Sequence, residues 1–164
     1  MINFTNTSEM KRKFARLLSS LYYDANIDLD NISYKITYGD YFDFLEDNNT
    51  TSFLDISNEN IIKALFKDVN IVSDNHDVGA LYWAGLEYMN IFLNYQIPLR
   101  AIFLLLPLKE MINYYALYHE MNDIQFTNFF LNEIYKKRSI LKILRNHKRY
   151  SVRELSFLTG INID

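Results

Sequence analysis

The stretch "SDNHDVGALYWAGLEYMNIFLNYQ", residues 73–96, decides the fold because its apolar residues recur every three to four positions. That spacing predicts an amphipathic helix, and Asp74 or Asp77 is placed to cap its N-terminus. We expect its buried face to consist of Leu81, Ala84, Tyr88, Ile91, Phe92 and Tyr95. The same stretch contains small residues that permit another helix to approach closely, namely Gly79, Ala80, Ala84 and Gly85.

The segments on either side repeat this helical spacing. A helix preceded by Ser8 should bury Met10, Phe14, Leu17, Leu18 and Leu21. Another, capped by Ser57 or Asn58, should bury Ile61, Ile62, Leu65, Phe66 and Val69. A third should bury Ile124, Phe126, Phe129, Phe130 and Ile134. Pro98 and Pro107 suit the first turns of a short and a longer helix. The chain has only 4 Gly and 2 Pro, too few for the tight turns of an all-β protein. We therefore predict an all-α, compact helical bundle.

Residues 29–47 are the ambiguous part of this prediction. Ile32, Tyr34, Ile36 and Tyr38 alternate with polar residues as in a half-buried strand, but the same region also fits a helical turn. A lone strand cannot satisfy its backbone hydrogen bonds, and no partner strand is evident in the sequence. We therefore predict a helix here and retain a strand as the alternative.

Composition narrows the functional classes. The absence of cysteine excludes disulfides and thiolate chemistry, and it favours a reducing, cytoplasmic compartment. The longest apolar run, residues 101–106, is much shorter than the ~20 residues that a membrane span requires. We expect a soluble cytoplasmic protein with no membrane partner.

No catalytic constellation is visible, and we predict that the chain is not an enzyme. Its three histidines, His76, His119 and His147, are far apart and have no metal-ligand spacing. There is no Gly-rich phosphate loop and no Ser or Cys nucleophile motif. We therefore predict no catalytic residue, no metal and no cofactor. His119 lies near a predicted helix end, where it should bond a terminal carbonyl.

Charge divides the chain into two parts. Residues 1–135 contain 9 Lys and Arg against 18 Asp and Glu, whereas residues 136–164 contain 8 against 2. The net charges are −9 and +6, and such asymmetry marks the basic part as a candidate for contact with a polyanion. We predict an acidic, aromatic-rich helical domain at 1–135 and a basic segment at 136–164.

The basic segment has the layout of a helix-turn-helix. In "RSILKILRNHKRYSVRELSFLTGIN", residues 138–162, Ser151 and Glu154 form a capping box, and Gly160 suits the end of the second helix. Phosphate contacts in such a unit would come from Lys142, Arg145, Lys148, Arg149, Ser151 and Arg153. The helix that should read bases would begin about where the chain ends. We therefore expect specific DNA binding to belong to a longer parent protein, and these 164 residues to bind DNA weakly and non-specifically at most.

The residues "SVRELSFLTGI", 151–161, resemble the Cro/repressor-type (Xre-like) helix-turn-helix in Ser151, Glu154, Leu155, Gly160 and Ile161. Two positions depart from that pattern. Val152 stands where such proteins usually have a glutamine that touches phosphate, and Ser156 stands where they have a tightly packed alanine.

Residues 82–126 resemble small Firmicute antitoxin-like regulators, in which a Gly-containing aromatic helix precedes a Pro-Leu-x-Glu helix and a "YHEMD"-type turn. The resemblance rests on Gly85, Pro107, Leu108, Glu110, Tyr118, His119, Glu120 and Phe126. It implies a protein partner such as a cognate toxin, which in such regulators is often encoded beside the regulator's gene, and it allows a homodimer. Tyr118, His119 and Glu120 are the candidate partner-binding residues.

Two other interpretations remain open. The chain could be a protein-binding module, a toxin neutraliser or phage-borne inhibitor, with no DNA-binding role. Alternatively, residues 136–164 could form only a closing helix pair of the bundle.

Overall fold

All the regular secondary structure is helical in residues 4–46, 50–67 and 77–136, the part of the chain that the computed structural model describes. The all-α prediction is therefore confirmed for these residues. The helices are α1 Phe4–Tyr23, α2 Leu29–Tyr38, α3 Asp43–Glu46, α4 Thr50–Asp55, α5 Asn58–Leu65, α6 Ala80–Tyr95, α7 Leu99–Leu105, α8 Leu108–Asn113, α9 Tyr115–Tyr118 and α10 Asp123–Lys136. Within the same residues, none of the helices is both long enough and apolar enough to cross a membrane.

The ambiguous residues 29–38 form a helix, as predicted. The Asp28 carboxylate accepts a hydrogen bond from the Asn31 amide at 2.9 Å and caps α2. Ile32 and Ile36 are buried, whereas Tyr34 is 61% exposed. A strand would have placed all three side chains on one face, so the burial pattern has the period of a helix.

The centre of the fold is the pair α1 and α6, which cross where Gly85 faces Ala15. A Cβ atom added to Gly85 would lie 2.4 Å from the Ala15 Cα, a separation that van der Waals repulsion forbids. The predicted close approach of a second helix is confirmed at Gly85. Both helices bury the predicted faces, apart from Tyr95, which is exposed at the end of α6.

Aromatic rings fill the space between this pair and the surrounding helices. The Phe14 ring of α1 lies 5.8 Å from Phe42 and 6.2 Å from Phe103, in edge-to-face geometry. Tyr88 of α6 stacks on Phe103 at 4.0 Å and donates its hydroxyl to the Leu106 carbonyl at 2.6 Å. The buried hydroxyl is therefore satisfied, as a tyrosine in an apolar interior requires.

The start of α6 differs from the prediction. Gly79, at φ 94°, occupies the capping position and supplies no side-chain cap. Asp77 instead accepts two hydrogen bonds from Arg16 of α1, at 2.6 and 2.8 Å. The bidentate ion pair competes for the carboxylate that would otherwise cap the helix. Asp74, the other predicted cap, lies outside the described residues.

Four further expectations need correction or completion. α1 begins at Phe4, ahead of Ser8. The longer helix expected after Pro107 is two short helices, α8 and α9, separated at Tyr114. Ile124, which the sequence predicts in the core, is 69% exposed in the first turn of α10. Val69 lies outside the described residues.

Candidate functional site

The connection between α9 and α10 carries the predicted partner-binding residues and is tightly held by local hydrogen bonds. The Gln125 amide donates to the Asn122 side chain at 2.9 Å, and the Asn122 amide donates to the Gln125 side chain at 3.2 Å. This reciprocal pair is the amide equivalent of a capping box and fixes where α10 begins.

His119 holds the other side of the connection. Its Nδ1 lies 2.7 Å from the Tyr115 carbonyl oxygen. Because a carbonyl only accepts, Nδ1 carries the proton and donates it, which confirms the expectation that His119 bonds a carbonyl at a helix end. Nε2 faces the Glu120 carboxylate at 3.6 Å. The imidazole is thus oriented by its own backbone, and its outer nitrogen remains at the surface.

Tyr118 points inward, to an aromatic cluster that supports the connection. Its ring stacks on Phe129 at 4.6 Å and meets Phe126 edge-to-face at 5.7 Å. Trp83 of α6 contacts Phe126 at 5.2 Å and Tyr115 at 5.7 Å. The cluster therefore ties α9 and α10 to the central helix pair.

Three large apolar side chains within eight residues of this connection are exposed. Leu117 is 65%, Met121 43% and Ile124 69% exposed. Glu120 and Asp123 are also exposed, between and beside them. We call these residues, together with His119, the α9–α10 surface. An exposed apolar group rimmed by charge on a rigid support has the features of a protein-contact surface.

Of the three predicted partner-binding residues, His119 and Glu120 lie on this surface and Tyr118 lies mainly beneath it. The sequence had not pointed to Leu117, Met121 or Ile124. The period of apolar residues cannot show how far other elements cover a side chain in the first turn of a helix, so it predicts Ile124 in the core. The predicted DNA-binding residues, Lys142, Arg145, Lys148, Arg149, Ser151 and Arg153, lie outside the described residues.

A second unusual feature lies behind the α9–α10 surface. Glu87 of α6 is only 6% exposed, and its Oε2 has no hydrogen-bond partner among the described residues. The pKa of its carboxyl is raised from 4.5 to about 7, chiefly because burial disfavours the charged form and also because Asp123 is anionic. Lys11 and Asn90 oppose this shift.

Lys11 of α1 contacts both Asn90, one helical turn after Glu87 on α6, and Asp123 of α10. Its ammonium donates to the Asn90 side-chain oxygen at 2.7 Å and lies 4.0 Å from the Asp123 carboxylate. The sequence contains a signal for the buried position of Glu87. Glu87 lies three residues after Ala84 and four before Ile91, on the predicted buried face. The described residues contain no group of three or more His, Asp or Glu arranged to hold a metal ion.

Comparison of the chain with protein-family models, with curated proteins and with solved structures gave no match. The resemblances to antitoxin-like regulators and to a Cro-type helix-turn-helix therefore stay predictions.

Proposed function

We propose that the chain is an antitoxin-like regulator that binds a partner protein through the α9–α10 surface and DNA through its basic C-terminal segment. The observation that carries the protein-binding half is the exposure of Leu117, Met121 and Ile124 on a rigid support. Burying these side chains against a partner would contribute about 25 cal/mol per Å² of apolar area.

The chemistry of the surface indicates what kind of partner fits it. Glu120 and Asp123 place carboxylates beside the apolar side chains, and the domain that carries them has a net charge of −9 over residues 1–135. A complementary face would present apolar groups flanked by Lys or Arg, since opposite charges speed encounter and reject wrong partners. The hydrogen bonds at His119, Asn122 and Gln125 restrict the conformations of the formed surface, which lowers the entropic cost of binding.

Single substitutions on the surface test this half. We expect Leu117→Ser and Ile124→Ser each to weaken a stoichiometric complex with the protein encoded beside this gene by at least about tenfold, the effect of losing about 1.4 kcal/mol. Val78→Ser is the matched control, because Val78 is exposed and apolar but lies before α6, outside the surface. Titration calorimetry on the three purified variants gives the comparison. Equal affinities for all three would refute the assignment of the surface.

The second candidate function is a protein-binding module with no DNA role. It is supported by the net charge of −9 over residues 1–135, since DNA repels negative charge. Under this proposal, a tight protein complex forms while promoter DNA is not bound. The two proposals share the partner surface, and binding of DNA by the full chain discriminates between them.

A further inference from the structure

The buried acid at the junction of α1, α6 and α10 has no structural role that its contacts explain. Glu87 is nearly inaccessible, yet one of its carboxyl oxygens has no hydrogen-bond partner among the described residues. A buried carboxyl oxygen without a hydrogen-bond partner costs free energy, and a buried acid perturbed by charged neighbours is a candidate for a functional group.

Three helices contribute charged side chains to this junction, and Lys11 links them: its ammonium donates to Asn90, three residues after Glu87 on α6, at 2.7 Å. Glu87 is on α6, Lys11 on α1, and Asp123 is the first residue of α10. The Lys11 ammonium lies 4.0 Å from Asp123, which is largely solvent-exposed. Lys11 and Asp123 are also the two charged groups that act on the Glu87 carboxyl, with opposite signs.

Ionisation of Glu87 adds a negative charge at this junction. The cluster then holds two carboxylates and one ammonium. A charge in the interior is screened less than one at the surface, so the ammonium favours the buried carboxylate over Asp123. Asp123 also experiences repulsion from the new negative charge. Both effects weaken the ion pair between Lys11 of α1 and Asp123 in the first turn of α10.

We propose that Glu87 regulates the α9–α10 surface: ionised Glu87 competes with Asp123 for the Lys11 ammonium and loosens the first turn of α10, which carries Ile124. The regulatory consequence rests on the proposed function, whereas the movement of α10 does not. The raised pKa of Glu87, about 7, places the change in the physiological range. Low pH keeps the surface formed, and higher pH loosens it.

The chain contains a natural reporter for this movement. Trp83 is its one tryptophan; it is 8% exposed and packs edge-to-face on Phe126 of α10 at 5.2 Å. Loosening of α10 exposes the indole to water, shifts its emission to longer wavelength and increases quenching by acrylamide. We expect the full wild-type chain to show this transition with a midpoint near pH 7, and Glu87→Gln to stay in the low-pH state throughout.

Two further variants exclude other causes. The His119 ring lies 4.5 Å from Tyr115, which contacts Trp83, so His119→Asn is needed to separate an effect at this ring from one at Glu87; it should keep the transition. Asp123→Asn, a surface change that removes the competing carboxylate, should reduce the amplitude and move the midpoint to lower pH. A transition that persists in Glu87→Gln, or that is lost in His119→Asn, would overturn the proposal.

The measurement needs no partner protein, so its failure is distinguishable from failure of the proposed function. A flat fluorescence profile in the wild type, with Leu117→Ser and Ile124→Ser still impairing the complex, would remove the switch and leave the partner surface standing.

Discussion

Individual buried polar residues carry the clearest consequences for stability. Because Glu87 has a raised pKa, the folded chain retains its proton between pH 4.5 and about 7, where the unfolded chain has lost it. Stability from this group is therefore fully present below pH 4.5 and is lost as pH rises to about 7. One pKa unit corresponds to about 1.4 kcal/mol, so the whole effect is at most about 3 kcal/mol.

Glu87→Gln tests that linkage, since glutamine has the shape of the protonated acid and cannot ionise. The variant should match the wild type near pH 4.5 and exceed its free energy of unfolding by up to about 3 kcal/mol above pH 7. Urea unfolding followed by circular dichroism across this range measures the difference. A constant difference at every pH would show that Glu87 does not titrate in this window.

Two buried serines form a matched pair for a second prediction. Ser33 accepts a hydrogen bond from the Leu108 amide at 3.0 Å and so satisfies the first turn of α8, which Pro107 cannot cap. Ser19 is also buried, but its hydroxyl has no partner among the described residues. Ser33→Ala should cost about 1–3 kcal/mol by leaving an amide unsatisfied, whereas Ser19→Ala should be neutral or stabilising. Similar costs for both in urea unfolding would contradict this distinction.

Among the elements, the α1–α6 contact depends on the missing side chain at Gly85. Elsewhere in a helix, Gly→Ala stabilises by about 1 kcal/mol because alanine loses less backbone entropy. At Gly85 the added Cβ would meet the Ala15 backbone, so we expect Gly85→Ala to destabilise the fold by about 1–3 kcal/mol. The change in melting temperature tests this prediction, which requires a decrease. An increase would mean that α1 and α6 can move apart at no cost in free energy.

The elements also show what sequence reasoning can reach. The buried faces of α1 and α6 were predictable because their apolar residues repeat at helical spacing. The break at Tyr114 was not, since neither Pro nor Gly marks it. The capture of Asp77 by Arg16 depends on a residue 61 positions away, which local pattern cannot reveal. Within the candidate site, the His119–carbonyl bond was predictable from its place at a helix end, but exposure of Ile124 depends on where α10 lies against the bundle.

At the scale of the whole molecule, the net charges of −9 over residues 1–135 and +6 over residues 136–164 are the reason for proposing a protein partner for the first part and DNA for the second. If residues 136–164 contact about four phosphates, the logarithm of affinity for promoter DNA should fall with the logarithm of salt concentration at a slope of roughly −3 to −4. Fluorescence anisotropy on the full chain, at several salt concentrations, measures it.

Replacement of one predicted phosphate contact, Arg149→Ala, should reduce that slope by about 1. Lys109→Ala removes an exposed cation of the acidic domain and should leave the slope unchanged. Equal effects of the two substitutions would show that the basic segment is not the DNA-contacting part, and undetectable binding would leave the protein-binding module as the function.

The most direct test of the account is a hydrogen-exchange footprint of the full chain with and without the protein encoded beside its gene. If the α9–α10 surface is the binding site, protection on complex formation should concentrate at residues 115–126 and be lost in Ile124→Ser but not in Val78→Ser. A complex whose protection lies elsewhere in the chain, with residues 115–126 exchanging as they do in the free protein, would contradict it.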